Sequence, residues 1–235
     1  MNLTSLIGMT GFADGHGALP GGNTAVIVVD LQKDFTLAHN GSLAVNRTDE
    51  AYLKMTAETT KELKELGLPV YATQDWHPAD HVSFASNHMG KKPLETVTLQ
   101  DGRTQILWPD HCVQGSDGST LLLDEKYLDG IIQKGASPLY DSYSGFKDDG
   151  GAVTILDKTL KSKGIKNLIV YGIATDFCVK FTVLDGIANG YNVIVVRELT
   201  PEIAAETAKA AWIEMEAKGA VIWPTIDISK IKKML

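Results

Sequence analysis

The chain has 235 residues, 44% of them hydrophobic and 22% charged, with a formal net charge of −7 at pH 7. That length suits one α/β domain with a full core and is short for two domains of roughly 150 residues each. The acid excess argues against a nucleic-acid or anionic-membrane binder, since both need a basic face. No apolar run approaches the ~20 residues of a membrane span. The opening MNLTSLIGMTGFADGHGALPGG lacks the basic start and apolar block of a signal peptide. A cytoplasmic location is therefore expected, and there the two cysteines, Cys112 and Cys178, should be free thiols.

In chain order, Met1–Gly22 is Gly-rich and without period, and reads as an irregular arm ahead of a single domain over 23–235. Ala25–Asp30 (AVIVVD) is a continuous β-branched run, the pattern of a strand buried on both faces. Asp49–Leu66 is helical and is stopped by Gly67 and Pro69. Val70–Thr73 is a second strand. The polar stretch Gln74–Gly118 is long for a connection in a compact domain, which marks it as functional. Then follow a strand at Ile131–Lys134, a helix at Val153–Lys163 and a strand at Leu168–Gly172. A helix at Thr175–Asn189, capped by Thr175 or Asp176, leads to a strand at Val193–Val196. A helix at Pro201–Lys218 and a strand at Ala220–Trp223 complete the series. Strands alternating with helices predict an α/β fold, a three-layer α/β/α sandwich around a mainly parallel six-stranded sheet.

Open parallel sheets bind ligands at the carboxyl ends of their strands. Asp30 follows the first run, Asp75 and His77 the second, Lys134 ends the third, and Cys178 comes shortly after the fourth. Acid, cation and thiol thus converge on one edge. Cys178, in the first turn of a predicted helix, gains from the unpaired N–H groups there, which favour a thiolate. With Asp30 as base and Lys134 as cation this is the layout of an activated nucleophile. The competing reading is a core cysteine that packs the helix on the sheet.

A second constellation is QDWHPADHVSFASNH with WPDHCV. Asp75 and His77 lie on one side of an extended segment, and His111 returns from the loop. One carboxylate with two imidazoles suits a borderline divalent metal: zinc first, with iron or manganese as alternatives. His81 and Ser83 each offer a further ligand or a partner for a bound water, and spacing leaves the choice open. Cys112, adjacent to His111, should point the other way into the core. A metal-activated water, with Cys178 merely structural, stays open as a second chemistry.

These residues resemble the nicotinamidase/pyrazinamidase branch of the isochorismatase-like cysteine hydrolases. The likeness runs from about Thr24 to Trp223. It is carried by VDLQKDF (Val29–Phe35), QDWHP (Gln74–Pro78), HVSFASNH (His81–His88), WPDHCV (Trp108–Val113), QKG (Gln133–Gly135), YSGF (Tyr143–Phe146) and GIATDFCV (Gly172–Val179). The resemblance implies a catalytic triad of Asp30, Lys134 and Cys178. It implies metal ligands Asp75, His77 and His111, with Ser83 at a variable fourth position and His81 as second choice. It also implies a cis peptide bond at Ile173–Ala174, an oxyanion site at the N–H groups of Ala174 and Cys178, and pocket aromatics Phe35, Trp108 and Tyr143. The implied activity is hydrolysis of nicotinamide, and of pyrazinamide, through a Cys thioester. The implied partner is this small molecule, with no nucleic acid and no membrane; a homo-oligomer is compatible.

Overall fold

The computed structural model of the chain describes residues 23–234. The expected arm at 1–22 lies outside the described residues. A sheet of six parallel strands forms the centre, in the order β5-β2-β1-β6-β7-β8. The strands are β1 (Thr24–Val29), β2 (Val70–Asp75), β5 (Gly130–Lys134), β6 (Asn167–Gly172), β7 (Asn192–Val196) and β8 (Val221–Trp223). A separate antiparallel hairpin, β3 (Thr96–Thr98) with β4 (Thr104–Ile106), projects from the connection after β2.

β1 is buried along its whole length, and its side chains divide between two cores. Val26 and Val28 face the core shared with α1 (Glu50–Glu65) and α5 (Ile228–Met234). Ala25, Ile27 and Val29 face the core shared with α2 (Leu156–Ser162), α3 (Lys180–Ala188) and α4 (Ala205–Ala217). This is the three-layer arrangement expected of an unbroken apolar run, and each fully buried Val or Ile contributes about 1.5–3 kcal/mol. α1 begins where Asp49 Oδ1 accepts from Tyr52 N at 3.0 Å.

Four local expectations are corrected. The stretch 74–118 is not uniformly irregular: β2 runs on to Asp75, and the β3–β4 hairpin sits inside it. Its three-residue, half-exposed strands are too short to show a period, although Asp101-Gly102 is a turn signal. α2 begins at Leu156 rather than Val153, and α5 had no counterpart in the sequence reading. Residues 175–179 form a π-helical turn ahead of α3. Neither Thr175 nor Asp176 caps it; both side chains bond instead to residues 200–207, and α4 starts only at Ala205.

The chain adds β2 and β5 on one side of β1, then crosses back to place β6 on the other. The carboxyl ends of β1 and β6 therefore flank the point where strand order reverses, where open α/β sheets leave a crevice.

Candidate active site

Asp30 follows the last residue of β1 in a left-handed conformation (φ 45°), which aspartate tolerates better than most residues. The Thr73 hydroxyl pins it from β2, accepting from Asp30 N at 3.1 Å and donating to Asp30 Oδ1 at 2.6 Å. Asp75 and Lys134 end β2 and β5 as register partners. Lys134 Nζ lies 2.9 Å from Asp30 Oδ2, 2.5 Å from Asp75 Oδ1, 2.7 Å from Ser142 O and 3.5 Å from Cys178 Sγ. Asp30 Oδ2 makes an ion-pair approach to Lys134 but no aligned hydrogen bond. One ligand atom each from Asp30, Asp75 and Cys178 falls within 4.8 Å of the others. The Lys134 ammonium already occupies the centre of these three, so they do not form a cation site.

Burial sets the electrostatics. It pushes the Asp30 carboxyl up to about 6, against the pull of Lys134. It also pushes the Cys178 thiol well above its ordinary value, with Lys134 opposing. Burial thus opposes the thiolate that the helix-start position favours. Desolvation outweighs the cation, and Cys178 rests as a thiol beside a carboxylate able to take its proton. Burial would lower the Lys134 ammonium, but Asp30 and Asp75 hold it well above the lysine range. Burial raises Asp75 too, yet Lys134, His77 and His111 hold it well below the usual carboxylate range.

Beside the triad the second cluster closes. His77 Nδ1 faces Gly135 O at 2.9 Å, and His111 Nδ1 faces Pro109 O at 2.8 Å. A carbonyl only accepts, so both rings carry the proton on Nδ1 and present the Nε2 lone pair. The two Nε2 atoms lie 3.5 and 4.0 Å from Asp75 Oδ2. Three buried ligand atoms thus converge within 4.8 Å with their tautomers fixed, which fits one divalent metal ion. Gly135 is required here: its φ is +67°, and a Cβ would come within 2.3 Å of the His77 ring.

The His81 ring is engaged elsewhere. Its Nε2 faces Tyr140 O at 3.1 Å, so its Nδ1 is the acceptor, and Ser83 Oγ donates to it at 2.7 Å. Both ring nitrogens are occupied, while Ser83 Oγ keeps its lone pairs.

A cavity opens beside both clusters. Phe35, Trp108 and Tyr143 line it, as do Asp75, His111, Ala174 and Cys178. Trp108 Nε1 donates to Tyr143 Oη at 3.1 Å. The Ile173–Ala174 peptide bond is cis.

The isochorismatase domain family matches residues 24–227. The chain belongs to this family, in its nicotinamidase/pyrazinamidase branch. It is 43% identical over 212 residues to the nicotinamidase of Escherichia coli, covering 86% of this chain and 95% of that one. Among solved structures it is similar to the nicotinamidase/pyrazinamidase of Acinetobacter baumanii, at 38% identity and TM-score 0.77, covering 89% of this chain and 98% of that one. It is also similar to the pyrazinamidase of Pyrococcus horikoshii in complex with zinc, at 33% identity and TM-score 0.70, covering 86% and 99%.

Sequence reasoning missed several members of this family site. Phe177 packs edge-on to Trp108 at 5.0 Å and lines the cavity, as do Leu43, Val45 and Ile203. The buried Asp141 also lines it, its carboxylate held by Ser142 N and Gln105 Nε2 at 2.8 and 2.9 Å. No spacing singled out Asp141; an acid in a polar loop reads as solvated until the β3–β4 hairpin brings Gln105 to it.

Proposed function

We infer that this enzyme hydrolyses nicotinamide to nicotinate and ammonia, accepts pyrazinamide as well, and works through a thioester on Cys178. The carrying observation is the meeting of Asp30 and Lys134 with Cys178 at the wall of a cavity that Asp75 and His111 also line, with His77 beside them.

Phe35, Trp108 and Phe177 hold the flat ring and exclude water from it. Asp75, His77 and His111 hold a divalent ion, zinc first, with Ser83 next in line as a fourth ligand. When bound, this ion supplies a Lewis-acid point toward which the heteroaromatic nitrogen orients. Asp30 accepts the S–H proton of Cys178 as the sulfur bonds to the carboxamide carbon. The N–H groups of Ala174 and Cys178 receive the developing oxyanion, where one donor is typically worth ~3 kcal/mol. Asp30 then gives its proton to the amide nitrogen as the C–N bond breaks and ammonia leaves. A water then gives one proton to Asp30 as its oxygen bonds to the thioester carbon; the carbon–sulfur bond breaks, Asp30 returns the proton to the Cys178 sulfur, and the acid is released. Lys134 keeps Asp30 oriented and offsets its negative charge throughout.

Among the described residues no helix is long and apolar enough to cross a membrane. We place the enzyme in the cytoplasm, where Cys178 stays reduced. Ammonia release from nicotinamide by the purified chain tests the reading directly, and its absence with metal supplied would sink it.

A further inference from the structure

Asp176 is buried, lies two residues before Cys178, and takes no part in the proton transfers above. Its oxygens accept from Ile203 N at 3.0 Å, Ala204 N at 3.1 Å and Thr207 Oγ1 at 2.5 Å. Its neighbour Thr175 donates from N to Pro201 O at 2.9 Å and from Oγ1 to Thr200 O at 2.7 Å. The nucleophile turn therefore grips residues 200–207 from both ends. Residues 200–204 have no regular structure of their own, so these bonds set where they run. Ile203 lines the cavity, in company with Ala174, Phe177 and Cys178.

We propose that Asp176 is a positioning residue that sets the width of the substrate cavity by holding the Ile203 wall at a fixed distance from Cys178. Hydrogen bonds from neutral donors to a carboxylate are roughly twice as strong as neutral pairs. A carboxylate accepts at both oxygens, and asparagine would turn an NH2 group toward donors that need an acceptor. Held this way, the wall limits the room beside the sulfur, so a carboxamide carrying a ring methyl is disfavoured relative to the flat, unsubstituted one. The same carboxylate also meets the N-terminus of α4, so a purely local capping role is the rival account. The proposal rests on the carboxamide reading of the site.

The test compares D176N, T207V and I203A with the wild-type enzyme on two ratios. One is kcat/KM for ring-methylated nicotinamides relative to nicotinamide. The other is the rate of Cys178 labelling by N-cyclohexylmaleimide relative to iodoacetamide, followed by mass spectrometry with peptide mapping. Both ratios are expected to rise about tenfold in D176N and I203A, and roughly two- to threefold in T207V, where one donor of three is lost. A local cap alone would lower the melting temperature and slow both members of each pair in parallel. Unchanged ratios in D176N and T207V overturn the proposal, as do unchanged ratios in I203A. If D176N fails to fold, T207V decides. If the wild-type enzyme releases no ammonia from nicotinamide, the functional reading fails, and the labelling ratio still decides the role of Asp176.

Discussion

Lys134 and Asp75 are register partners at the ends of β5 and β2, and their side chains meet with Nζ 2.5 Å from Oδ1. The same ammonium reaches Asp30 Oδ2 at 2.9 Å, while the other oxygen of Asp75 faces His77 and His111. One buried cation thus joins the carboxylate proposed to move protons to the carboxylate that would hold metal. Neither cluster can shift without the other, which keeps the attacking sulfur and the ring-orienting point at a fixed separation.

Replacing Lys134 by Met should therefore cost more than activity. Asp30 is fully buried and Asp75 nearly so, and removing their shared partner leaves two uncompensated charges. The expected loss is about 3–5 kcal/mol of stability, read as a lower urea midpoint. A midpoint equal to the wild type would contradict the view that this cation holds the site together.

Cys178→Ala should lower kcat by at least ~10³-fold, the usual scale for losing a covalent nucleophile. The melting temperature should move little, because the sulfur contributes only a small apolar volume. A variant that keeps most of its rate would favour metal-activated water over the thiol. Rapid quenching of the wild-type enzyme with substrate should also show an acyl adduct on Cys178 by intact mass.

The pH profile of kcat/KM should have an acid limb centred near 6. Burial raises the Asp30 carboxyl to about 6, so its basic form is present above that pH and is lost as pH falls through it. Below the midpoint the rate should drop tenfold per pH unit. An acid limb centred near 4, or none, would remove Asp30 as the base that accepts the thiol proton.

Metal analysis should find one divalent ion per chain, and dialysis against a chelator should abolish tight substrate binding until the ion is restored. Gly135→Ala tests the ligand geometry without touching a ligand. The new Cβ would come within 2.3 Å of the His77 ring, whose Nδ1–H bonds to the carbonyl of the same residue. Metal affinity should fall ~10–100-fold, as is usual when the support of a ligating histidine is disturbed. A competition titration with a coloured chelator measures it, and unchanged affinity would count against His77 as a ligand.

The sequence alone determined the sheet and much of the chemistry. Short apolar runs announced all six strands of the main sheet, and the continuous β-branched run of β1 matches a strand buried on both faces. Chemistry-bearing residues at the ends of those runs then pointed to Asp30, Asp75, His77, Lys134 and Cys178, because parallel strands deliver their carboxyl ends to one edge. Tertiary structure decided what depends on contacts between residues far apart in the chain. Burial pushes the Cys178 thiol up, an effect that local helix-start reasoning does not include. Asp176 looked like a cap for its own helix and instead serves residues 203–207, since the nearest unpaired N–H groups in space are not the nearest in sequence. His81 turns its Nε2 to the carbonyl of Tyr140, 59 positions away, a contact that spacing does not reveal. Spacing fixes which residues can share an edge, and only packing decides which way each lone pair and proton points.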